Sequence, residues 1–161
     1  MANAKKILTG DSELSPIERK MKASEAIKSG MLLDIDTNNL FVKHPTAGGS
    51  GMVLIALPDP DHEGVDAFST ATAFSDGDTI RAAAAKPGDS VILWLEQSQT
   101  ITRDEYLQSN GAGLVEVAVL SQAVDEAGSA TYTVIPNKML FKALEAVTTT
   151  SAELPIKCMV V

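Results

Sequence analysis

Four small groups of residues carry the types that could do chemistry. Asp59, Asp61, Glu63 and Gly64 imitate the first half of a calcium loop, in which alternating carboxylates and a glycine turn wrap a hard cation in oxygen. The full loop needs a bidentate glutamate at its twelfth position, and that position is Thr70 here. With Pro58 and Pro60 alongside, the stretch reads as a solvated acidic turn. His62 beside Glu63 has the types of an acid–base pair, yet no serine or cysteine nucleophile stands in a recognisable motif, and His44 reads as a strand-end or surface histidine. Gly48-Gly49-Ser50-Gly51 could cradle a phosphate. It lacks the Lys-Ser/Thr of a phosphate loop, and an apolar strand-like run follows where a helix is needed. Cys158 is the single cysteine, so it has no partner within the chain for a disulfide and no Cys/His cluster for zinc; it reads as a buried small hydrophobe. No cofactor or metal site is expected.

The totals point the same way. The 161-residue chain can bury a full core, and its 45% hydrophobic and 21% charged residues are those of a globular protein. A net charge of -8 and 4% aromatics argue against nucleic acid, which needs clustered cations or stacking platforms. No 18-residue apolar run marks a membrane span, and no apolar segment follows Lys5 and Lys6 to make a signal peptide. Charge divides the chain. Residues 1–30 hold six basic against four acidic residues, and the remainder holds seven against seventeen. We therefore expect a mildly basic N-terminal arm, 1–30, and a single acidic β-rich body, 31–161.

The elements follow from turns and periodicity. Ser15-Pro16-Ile17-Glu18 has the cap, proline and acid of a helix start, predicting a helix over 16–28 that Gly30 would end. Strands are predicted at 31–36 and 40–44 around a Thr37–Asn39 turn, then at 52–57, with an extended segment at 79–84. Val91-Ile92-Leu93-Trp94-Leu95, between Lys86-Pro87-Gly88-Asp89 and a polar turn at 97–99, reads as a strand covered on both faces with Trp94 in the core. One helical turn is expected over 104–109, stopped by Asn110-Gly111. Strands are expected at 114–119, 132–135 and 156–161. The spacing of Met139, Leu140, Ala143, Leu144 and Val147 predicts a helix over 137–147, with a strand through 144–147 as the competing reading.

Several segments in this order resemble the capsid decoration (cement) proteins of tailed bacteriophages. They are Lys22–Gly30, Pro58–Gly64, Asp76-Gly77-Asp78, Lys86–Val91, Trp94-Leu95, Thr100–Arg103, Tyr106–Gly113 and Lys142–Val147. The resemblance implies a compact β-barrel or β-tulip-like body, mainly β, with an extended N-terminal arm and one or two short helices. It implies a non-enzymatic virion protein on the outer capsid surface, assembled in the host cytoplasm, which bridges neighbouring capsomers. The implied partners are the major capsid protein and further copies of itself, as a homotrimer rather than a homodimer. Contacts to the shell would come from the arm, through Lys5, Lys6, Ile17, Arg19, Lys20 and Met21. A small β-barrel glycan-binding module with Trp94 as its stacking residue is the alternative from another class.

Overall fold

The computed structural model describes residues 16–58, 73–119 and 140–161, and the backbone of 8–9, 122–126 and 130–134. Among them every regular element is a strand. In chain order these are β1 (Leu8–Thr9), β2 (Ile17–Lys20), β3 (Leu32–Ile35), β4 (Phe41–Lys43), β5 (Val53–Ala56), β6 (Thr79–Ala85), β7 (Ser90–Leu95) and β8 (Thr100–Ile101). There follow β9 (Tyr106–Ser109), β10 (Val115–Val117), β11 (Gln122–Glu126), β12 (Ala130–Val134), β13 (Leu140–Ala143), β14 (Val147–Thr148) and β15 (Leu154–Val160). The expected mainly-β barrel body is the fold observed.

The barrel has five strands, in the order β7-β10-β9-β13-β15, and closes where β15 pairs with β7. That closing ladder runs from Leu154↔Leu95 to Met159↔Ser90, the full length of the Trp94 strand. The opposite edge of β7 is shared. β10 meets it in parallel at Leu95, and β1 lies antiparallel against Ser90 and Val91. Period-two alternation sends Val91, Leu93, Leu95, Leu107, Val115, Phe141, Ala143, Ile156, Cys158 and Val160 into one buried cluster. A short β8–β14 ladder sits beside it, where the Thr149 hydroxyl accepts from Gln99 N–H at 2.8 Å and donates to the Glu96 carbonyl at 2.6 Å.

A second sheet, β2-β6-β5-β3-β4, packs on the barrel. Its edge strands meet at a Met21↔Phe41 bridge, so the sheet curls around Met21, Ile27, Leu33, Phe41, Leu54, Ala56, Ile80 and Ala82. Residues of the other parity, Leu32, Val53, Ile55 and Ala85, join the barrel cluster. β5 is therefore buried on both faces, which is why Val53-Leu54-Ile55-Ala56 is an unbroken apolar run. The same two-sided burial explains the alanines of β6. Small side chains fit between two cores, and that fit overrides their helical propensity.

Three helix expectations are corrected. Within 16–28, Ile17, Arg19 and Met21 alternate with exposed Glu18 and Lys20, and β2 pairs with β6 from Ile17↔Ala82 to Lys20↔Thr79. Gly30 consequently ends no helix; at φ 85° it turns the chain and donates to the Ala56 carbonyl. Within 137–147, Leu140–Ala143 is a barrel strand between β9 and β15, with Phe141 and Ala143 inside, and the chain bends at 144–145 before β14. The expected turn of helix at 104–109 is instead a tight turn at Asp104, φ 71°, leading into β9. In each case a sheet edge offered a full set of backbone partners that a short, isolated helix could not match.

Candidate interaction surface

The chemistry-bearing residues that are described lie inside the fold. His44 and Ser109 are both buried, and His44 Nδ1 stands 2.9 Å from Ser109 Oγ. Ser109 Oγ already accepts from Gly111 N–H at 3.2 Å, and we assign its hydroxyl as donor to a neutral imidazole. Burial pushes the His44 pKa below its ordinary 6.5, against weaker opposing pulls from the Asp34 charge and the Thr46 backbone. A Cβ at Gly49 would come within 2.9 Å of His44 Cε1. With Ser109 wholly buried, the pair is a latch between sheets, not an accessible nucleophile and base. The chain around it interlocks as well: Gly48 N–H donates to the Ser109 carbonyl at 2.7 Å, and Ala47 bridges Asn110.

Cys158 is wholly buried, and desolvation raises its thiol pKa far above the usual range, which suits the small hydrophobe expected. Trp94, 6% exposed, packs with Met31 and Leu114, and its Nε1 donates to the Ser29 carbonyl at 2.7 Å. Lys28 Nζ stands 5.4 Å from the ring centroid and pairs with Glu153 at 3.0 Å. Among the described residues no group of three or more His, Cys, Asp or Glu is placed to hold a metal ion. The acidic stretch from Asp59 to Gly64, with His62, lies outside the described residues, as do Lys5 and Lys6.

The other arm residues named from sequence are drawn together on β2 and its exit, but on two faces. Ile17 is half-buried against the second core and Met21 is enclosed in it. Arg19 stands opposite Ile80 with its Nε buried, while Lys20 alone of the four is exposed. Neighbouring Glu18 lies 4.0 Å from Arg81, so the outward side of β2 is of mixed charge.

The surface that sequence reasoning missed is on the barrel. β10 and β13 flank β9, and the chain joining them carries the β11–β12 hairpin. At the exit of β10, Val119 N–H donates to Gln108 Oε1 at 3.1 Å, and Gln108, though outward on its strand, is buried. Tyr106, Val119 and Val161, three of the five large apolar residues exposed among those described, surround this root. Ala118 N–H donates to the Tyr106 carbonyl, and Val161 N–H to that of Leu140, the first residue of β13. Lys142, the register partner of Tyr106, donates to Asp104 at 3.0 Å and holds that carboxyl below its ordinary range. The arrangement is an apolar collar with a charged rim, next to the chain that carries a hairpin pairing with no other strand among the described residues. β12 was legible in its β-branched run; Gln122–Glu126 has no such signal, and β11 follows from its partner.

No protein-family model matches this chain, and none of the curated proteins matches it.

Proposed function

We propose that this chain is a structural virion protein that binds the outer surface of an assembled tailed-phage capsid and holds neighbouring capsomers together. The observation that carries a binding role is the concentration of exposed apolar side chains at the root of a hairpin outside both sheets. The choice of a capsid as partner rests on the order of motifs that resembles decoration proteins. A protein that binds the assembled shell and not separate capsomers stabilises the shell by mass action, and many copies on one shell allow each contact to be modest. A net charge of -8 keeps such a crowded surface soluble. The glycan-binding alternative is disfavoured, since the Trp94 ring is packed away from solvent.

Sedimentation of the purified protein with expanded, undecorated heads tests the proposal against a control without heads. Saturable co-pelleting at a fixed ratio to the major capsid protein is expected. Failure to pellet with cognate heads would refute it.

A further inference from the structure

Asn110-Gly111 is the one place in this chain where an asparagine precedes a glycine; Asn3, Asn38, Asn39 and Asn137 precede Ala, Asn, Leu and Lys. Asparagine is a thermolabile residue, and this pair has a chemistry of its own. The glycine amide nitrogen, once it has lost its proton to solvent base, can attack the asparagine Cγ. The new N–Cγ bond closes a five-membered imide, and the side-chain nitrogen leaves as ammonia, taking up a proton. Water then opens the ring at either carbonyl, giving an aspartate or an isoaspartate with one more backbone carbon. Glycine favours the closure, since it has no side chain to crowd the ring and its backbone turns freely.

In the fold, both reacting groups are engaged. Asn110 Oδ1 accepts from Ala112 N–H at 2.8 Å and from Leu114 N–H at 3.2 Å, while Asn110 N–H donates to the Leu114 carbonyl at 3.1 Å. Gly111 N–H donates to Ser109 Oγ at 3.2 Å, and Ser109 is fixed in turn by His44 at 2.9 Å. The turn is also gripped from the second sheet. Ala47, beyond β4, bridges Asn110, and Ala47 N lies 2.9 Å from where a Cβ on Gly111 would stand. Ring closure would consume the N–H that Ser109 accepts and would draw the carboxamide onto Gly111 N, out of the place where Ala112 and Leu114 hold it. Inside the closed fold these losses are uncompensated.

We propose that the fold keeps Asn110-Gly111 as a silent deamidation site, and that parting of the two sheets at the His44–Ser109 latch releases it to cyclise. A transient opening is thereby turned into a permanent mark, a carboxylate in place of an amide. The two products do not fit equally. Aspartate at 110 keeps an oxygen for Ala112 and Leu114 N–H, and its charge strengthens both bonds. Isoaspartate, one backbone carbon longer, has no room against Ala47. Return to the closed fold therefore favours the aspartate form.

This inference is independent of the capsid reading. Its test is incubation of the full chain in mildly alkaline buffer, with and without denaturant, followed by peptide mass mapping of residue 110. Conversion in the native protein should be slower than in the unfolded chain by about tenfold or more. Ser109→Ala removes the acceptor of Gly111 N–H and should speed native conversion by about threefold or more. His44→Leu removes the partner of Ser109, should act in the same direction, and replaces the first variant if that one does not fold. Trp94 emission reports in each that the body is folded. Equal conversion with and without denaturant would overturn the proposal, and so would a folded variant that converts no faster than the parent.

Discussion

The five-strand barrel and the hairpin carried between two of its strands stand in opposite conditions. Each barrel strand is paired on both sides for at least part of its length, and its inward side chains share one core. Among the described residues, β11 and β12 pair only with each other. Pairing on both edges, more than strand composition, marks a scaffold.

Substitutions can break this contrast or sharpen it. Phe141 is wholly buried in the barrel, and Phe141→Ala should lower unfolding free energy by about 3–5 kcal/mol in denaturant titrations. Two glycines separate backbone strain from crowding. Gly111 has φ 84° and its would-be Cβ lies 2.9 Å from Ala47 N, whereas Gly77 has φ 82° and open space. Gly111→Ala should therefore cost about 3 kcal/mol and Gly77→Ala about 1 kcal/mol by the same titrations.

The latch between the sheets should respond to pH. The folded pKa of His44 lies below its ordinary 6.5, so the unfolded chain binds the proton more readily. Its contribution to stability is full above about pH 6.5 and declines as pH falls from there toward the depressed folded value. His44→Gln should flatten that part of the stability–pH curve. The carboxylates Asp36 and Asp104, whose pKa values are lowered from 3.8, act only in a more acidic window. Smallest of all should be the effect of Tyr132→Asp on the unfolding of the body, within about 0.5 kcal/mol. A loss as large as that of Phe141→Ala would make the hairpin part of the scaffold and erase the contrast.

Much of the fold was legible in the sequence where turns and alternation agree. Lys86-Pro87-Gly88-Asp89 is a turn with Gly88 at φ 93° and the Asp89 carboxylate accepting from Lys86 N–H, and the runs beside it are β6 and β7. Local signals failed where a distant edge decided the outcome. Ser15-Pro16-Ile17-Glu18 has the chemistry of a helix start, but Ile17, Arg19 and Met21 find β6 and the second core, a pairing of residues more than sixty apart. Leu140–Ala143 likewise reads as helix until β9 and β15 are in place on either side. The collar was illegible for the same reason: Tyr106, Val119 and Val161 are separated in sequence, and only the pairing of β10 and β13 on either side of β9, with β15 beside β13, brings them together.

The most direct measurement is hydrogen exchange, amide by amide, on the full chain without heads. If the doubly paired barrel is the scaffold, β7 and β15 should be the most protected strands, while 122–126 and 130–134 exchange faster by about tenfold or more. Hairpin protection equal to that of β7 and β15 would contradict the account.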